Sequence, residues 1–278
     1  SNFVDTLYNT FKQSSNMEVF VEFYKKIDAY PKNTKGKIIA LCGLVRLFPR
    51  DDILFEVYLK KCVEYAAFPC DNVQNVVASY LSECWSVDFT ILMRDSVIPK
   101  LTQGRDLWER RGAAYLISTF VMRMGLEFVG QLQIEQLILK ESLQRTKEGI
   151  EGCLFLIELL SLYMQSAFEP YAIKFIPFLI SCNGEEDEEI RSACSTCIPM
   201  VMKHVSQHGL CIILPIALKY LEEPEWKIKS GSALLLGSMS RLAPQLLSRN
   251  LSTIISGLSD ALKVPHPQVQ IDAKMALD

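Results

Sequence analysis

The residues best suited to chemistry in this chain are two cysteines and two histidines in one apolar stretch. Cys194 and Cys197 have the spacing of half a zinc site or of a redox pair. A zinc site needs a second ligand pair, and a redox pair usually stands at a helix start beside a strand. His204 and His208 are four residues apart, which predicts one shared helical face. Because no third ligand lies within sequence reach, we interpret the cysteines as core residues and the histidines as solvated side chains near a helix end.

Motifs for other reactions are missing from the sequence. It contains no Gly-x-x-x-x-Gly-Lys-Ser/Thr run for a phosphate and no Gly-x-Ser-x-Gly nucleophile elbow. The three histidines, His204, His208 and His266, offer few bases for a serine or cysteine triad. The sequence therefore predicts a protein that is not an enzyme, with no cofactor, no metal and no small-molecule substrate.

Composition restricts the partner class and the compartment. The chain has 29 basic and 32 acidic residues and a formal net charge of −3, so no global positive field attracts nucleic acid. Its nine cysteines lack the spacing of a disulfide framework, which predicts a reducing, cytosolic or nuclear environment. No apolar run approaches the ~20 residues that span a bilayer, so no membrane contact is expected. The start at Ser1, without an initiator methionine, suggests a piece of a longer protein.

The elements that would position these residues recur with a period near 40 residues. We take one reference position in each repeat and call it the mark; the helix that contains it is a marked helix. Successive marks are separated by 36 to 41 residues. They are Gly36, Val76, Gly112, Gly152, Ala193, Gly231 and Asp272. Five residues after each mark stands Leu or Ile: Leu41, Leu81, Ile117, Ile157, Ile198, Leu236 and Leu277. A small residue lets a neighbouring helix approach, and the aliphatic residue one turn later fills the space beneath. This period is typical of HEAT or armadillo repeats.

The repeat predicts paired helices and no strands. An N-terminal partial unit covers 3–28, and marked helices are expected near 34–48, 71–85, 106–124, 145–165, 187–206, 225–242 and 267–278. Outer helices are expected between them, near 51–66, 88–101, 131–142, 168–182, 209–222 and 244–262. Prolines inside three outer helices, Pro99, Pro177 and Pro215, suggest kinks and favour HEAT over armadillo. The predicted fold is all-α, a HEAT-repeat α-solenoid of about seven helix pairs, with residues 1–278 as a single array.

Charged residues concentrate at a few places where a partner could bind. The run Glu185–Glu189 opens a marked helix and is interpreted as a solvated cap, with acidic docking as the alternative. Arg110, Arg191 and Lys229 each stand two residues before a mark and are expected to bond acidic residues of adjacent turns. Other basic residues could form a stripe for RNA phosphates or an acidic partner along one edge of the repeats. The candidate binding residues are Arg105, Arg145, Lys147, Lys227, Lys32 and Lys35.

Residues 226–244 carry a more specific signal. The segments Trp226–Ser232, Leu235–Met239 and Ala243–Pro244 closely resemble one repeat of a known family. Further segments match in the same order: Arg110–Tyr115, Glu151–Phe155, Phe168–Tyr171 and His208–Pro215. The family is that of the large ribosome-associated activators of the general amino-acid control kinase, the general control non-derepressible scaffolds. The resemblance lies in the region that they share with fungal translation elongation factor three; it covers 105–278 and is weak over 1–104.

The resemblance implies a scaffold in translational stress signalling. Such proteins lie along stalled or collided ribosomes and help present uncharged transfer RNA or the stall signal to the kinase that phosphorylates the initiation factor two alpha subunit. Their elongation-factor-three-like region docks a cassette-type ATPase and touches the ribosome, whereas the kinase binds other parts of the full-length protein. The expected partners are therefore the ribosome, through rRNA and ribosomal proteins, and the ATPase, in the cytoplasm. The alternative is a HEAT scaffold of another system, such as a nuclear transport receptor or a phosphatase scaffold subunit.

Overall fold

Helices form the regular structure of the chain. The computed structural model describes residues 2–14, 16–84, 87–242 and 244–278, and these ranges contain no strand. Two compact units divide the chain, Ser1–Leu132 and Gln133–Asp278. The predicted all-α HEAT fold is confirmed, and the organisation of residues 1–278 as a single array stays a prediction. Four positions used above lie outside the described ranges: Ser1, residue 15 in the predicted partial unit, residue 85 at a predicted helix end, and Ala243 in the resemblance.

The first unit has two layers of helices. Its helices are α1 (Asn2–Ser14), α2 (Met17–Asp28), α3 (Lys35–Leu44), α4 (Ile53–Tyr65), α5 (Asp71–Ser82), α6 (Val87–Leu92), α7 (Ile98–Gln103), α8 (Leu107–Met124) and α9 (Glu127–Gln131). The marked helices α3, α5 and α8 pack side by side as an inner layer, while α4 packs on α3 and α5, and α7 packs on α8. A π-helical segment, Met93–Val97, separates α6 from α7 directly before Pro99. Proline cannot donate a backbone hydrogen bond and its ring crowds the carbonyl four residues earlier, so the wider turn is expected there.

The second unit repeats this arrangement. Its helices are α10 (Ile134–Gln144), α11 (Lys147–Met164), α12 (Glu169–Asn183), α13 (Glu188–His204), α14 (Gln207–Glu222), α15 (Trp226–Leu242), α16 (Pro244–Arg249), α17 (Leu251–Leu262) and α18 (Pro267–Leu277). The marked helices α11, α13, α15 and α18 form the inner layer, each packed against the next. The outer layer consists of α12, α14 and α17, and α15 also packs across the layers on α12.

The aliphatic rows of the repeat are buried as predicted, with one exception. Six of the seven residues are at most 4% exposed: Leu41, Leu81, Ile117, Ile157, Ile198 and Leu236. Leu277 is 40% exposed, so its predicted burial is wrong. This residue ends α18, and no later helix of the described residues covers its side chain. The buried face of α18 is formed instead by Val269, Asp272 and Ala273.

Glycine at the marks allows close helix contact. A Cβ atom on Gly112 would collide with the carbonyl oxygen of Ala66, at the end of α4. A Cβ atom on Gly231 would collide with the carbonyl oxygen of Ile180 in α12. In both places an inner helix lies on the backbone of the outer helix of the preceding pair. The small residue is therefore required by close approach and not by backbone conformation.

Polar caps fix where the inner helices begin. Thr34 accepts a hydrogen bond from the backbone nitrogen of Lys37, and Thr146 accepts one from Gly149. Asp106 and Asp187 cap α8 and α13 in the same way. Each cap satisfies an amide that the helix itself leaves unpaired. These side chains explain why the predicted starts of the inner helices agree with the observed ones to within about two residues.

The outer layer departs more from the prediction. The helix expected at 244–262 is two helices, α16 and α17, joined at Asn250. The short helix α9 was not predicted. Pro177 and Pro215 lie inside α12 and α14 as predicted, and Pro199 lies inside the inner helix α13, where no proline was expected.

One stretch passes a length and composition test for a membrane span. It is Lys147–Asn183, with a mean hydropathy of 1.3 over the relevant window, of which 61% is buried inside the fold. The stretch contains α11 and α12, separated by a 3-10 turn, Gln165–Phe168. Its apolar side chains include the buried core residues Ile157 and Phe175, which makes this weak evidence for a span.

Replacing Gly231 by alanine tests the close-approach argument. We expect Gly231→Ala to lower the unfolding free energy by about 1–3 kcal/mol, because the backbone of Ile180 must move. Gly36→Ala is the matched control: no atom lies within 4 Å of its added Cβ, and alanine favours a helix, so stability should stay equal or rise by up to ~1 kcal/mol. Urea unfolding followed by circular dichroism measures both. Equal stability of the two variants would contradict the packing described here.

Candidate interaction surface

Ion pairs join successive repeats within each unit. In the first unit, Nε of Arg111 lies 2.5 Å from Oδ1 of Asp71, 40 residues earlier in the chain. In the second unit, Nζ of Lys174 lies 3.1 Å from Oε1 of Glu135, at a separation of 39 residues. These separations equal the repeat period. Charged side chains at equivalent positions of neighbouring repeats therefore face one another.

The densest set of such pairs lies where α11, α13 and α15 begin. Glu185 pairs with Arg145 from the preceding repeat and, at 3.0 Å, with Lys227 from the following one. Lys147 lies 2.9 Å from Asp187 and 2.7 Å from Glu189. We call six residues the charge cluster: Arg145, Lys147, Glu185, Asp187, Glu189 and Lys227. Three cations and three carboxylates compensate one another there, so the cluster is a repeat-to-repeat connection.

Two residues of the charge cluster have displaced pKa values. The hydrogen bond from Lys147 is the main cause that lowers the pKa of Asp187, and the backbone amides of Ile190 and Glu189 add to it. Those amides belong to the first turn of α13, which Asp187 caps. The hydrogen bonds to Glu189 and Asp187 raise the pKa of Lys147. Both groups are thus held in their charged forms across the neutral range.

Backbone conformation at Arg145 adds a further constraint. This residue ends α10 with φ 52° and ψ 40°, the left-handed region in which glycine is favoured. A side chain in this region costs of order 1 kcal/mol. Arginine occupies the position nonetheless, and its side chain pairs with Glu185. The ion pair offsets part of the backbone cost.

Only part of the acidic run Glu185–Glu189 is available for docking a partner. Asp187 caps α13, as the cap interpretation requires, and Glu185 has only 13% of its side chain exposed. Glu186 remains 75% exposed although its carboxylate lies 3.5 Å from Lys227. Glu188 is exposed at the start of α13.

The six candidate binding residues divide into two groups. Arg145, Lys147 and Lys227 belong to the charge cluster of the second unit. Lys32 and Arg105 are exposed in the first unit, and their side chains have no ion-pair partner among the described residues. The third residue of that unit, Lys35, lies near Cys70 and contributes to lowering the pKa of its thiol. The binding role of all six stays a prediction.

Cys70 gains an unusual environment from this contact. It is the N-cap residue of α5, and the backbone amide of Val73 is the main cause that lowers the pKa of its thiol, with Lys35 adding to it. Lys35 begins α3, one repeat earlier. Equivalent helix starts are thus in contact in the first unit as well.

The three basic residues that were expected to make internal bonds each donate a hydrogen bond to a backbone carbonyl. Nη1 of Arg191 donates to the backbone carbonyls of Glu185 and Glu186, at 2.8 and 2.6 Å. Nζ of Lys229 donates to the carbonyl of Leu221 at 2.9 Å, and Nη1 of Arg110 donates to that of Gly104 at 2.9 Å. The expectation of carboxylate acceptors is wrong for Arg191 and Lys229. The side chain of Arg191 instead satisfies carbonyl groups in the loop before α13, and that of Lys229 satisfies a carbonyl in the last turn of α14.

The cysteine pair has the structural role that the sequence predicts. Cys194 and Cys197 are buried in α13, and burial raises the pKa of both thiols. Sγ of Cys194 donates to the carbonyl of Leu179 at 3.5 Å. The ranges that the structure describes contain no group of three potential metal ligands. Burial disfavours the thiolate form of both side chains, as expected for core cysteines.

The predicted shared face of the two histidines is wrong. His204 is the last residue of α13, whereas His208 lies in α14, which begins after the cap Ser206. The chain is extended between them, at Val205 and Ser206. Burial lowers the pKa of His204, and His208 is exposed.

One aromatic contact was missed from the sequence. The rings of Trp226 and His266 stack with centroids 3.7 Å apart. Trp226 begins α15 and His266 precedes α18, so the stack again joins two helix starts one repeat apart. Their separation of 40 residues is the signal that would have revealed it.

Residues 110–277 match the model of a protein family described as the EF3 N-terminal HEAT repeat. This range is more than half of the chain and includes α9 to α18 completely. It also agrees with the range over which the sequence resembles the elongation-factor-three-like region.

Comparison with curated proteins gives relatives along most of the chain. A human protein named stalled ribosome sensor GCN1 is 31% identical over 271 residues, which are 95% of this chain and 10% of that protein. The eIF-2-alpha kinase activator GCN1 of Saccharomyces cerevisiae is 31% identical over 252 residues, 87% of this chain and 9% of that protein. Elongation factor 3 of Gonapodya prolifera is 25% identical over 201 residues, 71% of this chain and 18% of that protein. The chain thus spans about a tenth of the GCN1 relatives it matches.

Removing the charge of Glu185 tests whether the charge cluster stabilises the fold. We expect Glu185→Gln to lower the Tm by about 2–4 °C, because Arg145 and Lys227 lose their shared carboxylate. Glu188→Gln removes the same charge from an exposed neighbour with no ion pair in the described residues, and should leave the Tm within ~0.5 °C. Thermal unfolding at low salt is the measurement. Equal Tm values for the two variants would show that the charge cluster does not stabilise the fold.

Acid should remove the contribution of the Lys147–Asp187 pair. A carboxyl group whose folded pKa lies below its unfolded value adds stability above that unfolded value, and the stability is lost as the pH falls through the folded pKa. The Tm difference between wild type and Lys147→Met should therefore be constant from about pH 7 to 5 and shrink below about pH 4. Lys140→Met, at an exposed position in α10, is the control. Its Tm difference from wild type should not depend on pH. A difference for Lys147→Met that persists at low pH would refute the assignment.

Proposed function

Because this chain belongs to the EF3 N-terminal HEAT repeat family, we propose that it is a scaffold segment of a ribosome-bound activator of the kinase that phosphorylates translation initiation factor two alpha. The observation that carries the proposal is the 31% identity to the human stalled ribosome sensor over 95% of this chain. A HEAT-repeat scaffold role follows from family and fold together, and a scaffold of this kind has a non-catalytic role. The activator works in the cytoplasm in response to amino-acid starvation.

Ribosome binding is proposed for the first unit in particular. Its free cations Lys32 and Arg105 are exposed, and Lys35 lies with them at the edge where α3, α5 and α8 begin. Phosphate groups of rRNA attract cations that have no internal carboxylate partner. The cations of the charge cluster already make ion pairs. They can contribute to ribosome binding only where rRNA or a ribosomal protein displaces or extends those pairs; these cations are Arg145, Lys147 and Lys227. We therefore rank Lys32, Lys35 and Arg105 first among the six candidates.

Two further partners are part of the proposal. We propose that the segment docks a cassette-type ATPase, because the elongation-factor-three-like region does so in the family that the sequence resembles. The kinase is proposed to bind other parts of the full-length protein. The alternative, a HEAT scaffold for nuclear transport or for a phosphatase, is supported only by the generic repeat pattern. The relatives named for ribosome sensing and kinase activation favour the first function.

Co-sedimentation with purified eukaryotic ribosomes tests the proposal. We expect the wild-type chain to pellet with ribosomes at low salt and to be released as the salt concentration rises. The triple variant Lys32→Glu, Lys35→Glu, Arg105→Glu should lose most of the pelleted fraction while its helicity is unchanged.

Charge reversal elsewhere provides the control. Arg123→Glu, Lys140→Glu, Lys219→Glu changes the net charge by the same amount at other exposed positions and should pellet like the wild type. Equal loss in both triple variants would mean that the attraction is non-specific. A wild-type chain that stays in the supernatant at low salt would refute ribosome binding by this segment.

A further inference from the structure

A groove on the inner layer of the second unit takes no part in the features described so far. Its walls and floor come from three successive inner helices, α13, α15 and α18. The lining residues are Pro199, Met202, Leu234, Gly237, Ser238 and Met275, and the groove encloses about 300 Å³. Ala276 of α18 also lines it, and its Cα lies 3.2 Å from where a Cβ on Gly237 would stand, so α15 and α18 meet at the floor of the groove.

The groove is bordered by exposed apolar side chains. Met275 is 62% exposed, and Ile271, one turn earlier on α18, is 52% exposed. Pro199 is exposed on the facing wall. Exposed aliphatic residues that adjoin a groove mark interaction sites more often than isolated ones do. Methionine suits such a site because its side chain adapts to different partner surfaces.

Two lysines lie next to groove residues along the chain. Lys203 lies one turn after Pro199 on α13, and Lys274 precedes Met275 on α18; both are exposed, with no ion pair in the described residues. α15 contains no Asp or Glu, and the carboxylates of α13 are confined to its first turn. Asp272 of α18 is 3% exposed and accepts a hydrogen bond from Ser230 beneath the surface. Asp278, at the end of α18, is the nearest exposed carboxylate on that helix.

We propose that this groove binds an acidic amphipathic helix of a partner protein. Bulky apolar side chains spaced three and four residues apart would enter the groove between Pro199 and Met275. Glutamates or aspartates on either side of them would face Lys203 and Lys274. An amphipathic helix laid into an apolar groove is a common mode of peptide recognition. Charge complementarity with the two lysines favours a helix that carries negative charge. The proposal does not depend on ribosome binding, because the residues involved are different.

Fluorescence anisotropy with defined peptides tests the groove. The probe is a fluorescein-labelled helical peptide of about 18 residues with leucine on one face and glutamate on the other. We expect saturable binding with a Kd in the micromolar range. Ser238→Trp fills the groove from a surface position of α15 and should weaken binding at least about tenfold. Lys203→Glu with Lys274→Glu should weaken it about tenfold as well, with a smaller salt dependence.

Three controls make the outcome decisive. A peptide with lysine in place of every glutamate should not bind, and Lys219→Glu, on the outer helix α14, should not change the Kd. Thermal unfolding verifies that each variant is folded. Absence of saturable binding by the acidic peptide, equal binding by the basic one, or indifference to Ser238→Trp would overturn the proposal. A wild-type chain that dimerises, and becomes monomeric with Ser238→Trp, would assign the groove to a second copy and also overturn it.

Discussion

The contact between an inner helix and the backbone of the preceding helix pair is the constraint on which the rest of the structure depends. A helix pair of this size cannot bury its own apolar face, so each pair is stabilised by its neighbours. Gly112 and Gly231 allow that contact at backbone distance, and Ile117 and Leu236 fill the space one turn further on. Helix starts are thereby held in register, and several long side chains at those starts, such as Arg111 and Lys227, meet partners one repeat away.

This register explains which parts of the fold could be predicted from the sequence. A period that recurs seven times averages out local ambiguity, so the inner helices and six of seven aliphatic core positions were predicted correctly. The break at Asn250 and the π-helical segment before Pro99 depend on local backbone competition that periodicity does not record. The predicted common face of His204 and His208 is wrong for a similar reason. A spacing of four residues places two side chains on one face only if the helix continues between them.

Charge pairing was the least predictable feature of the candidate site. Sequence reasoning treats each basic residue as free unless a partner lies within a turn or two along the helix. The partners of Arg145 and Lys227 are instead 40 and 42 residues away, at Glu185. Superposing the repeats in sequence would place opposite charges at equivalent positions and reveal these pairs. What no sequence pattern supplies is the direction of each side chain, which decides that Arg191 bonds the carbonyl of Glu186 and not a carboxylate.

The distribution of charge then separates internal from external roles. At the edge of the second unit the cations are compensated, so bringing a partner there requires breaking existing pairs. On the inner layer of the same unit, Lys203 and Lys274 border an apolar groove without such pairs, and in the first unit Lys32 and Arg105 are likewise uncompensated. A cation that keeps no internal partner retains its full attraction for an external anion, whereas a paired one offers only the difference between two similar interactions. Binding is therefore to be sought where the repeats leave charge unmatched, and the charge cluster is better understood as part of what keeps neighbouring repeats in register.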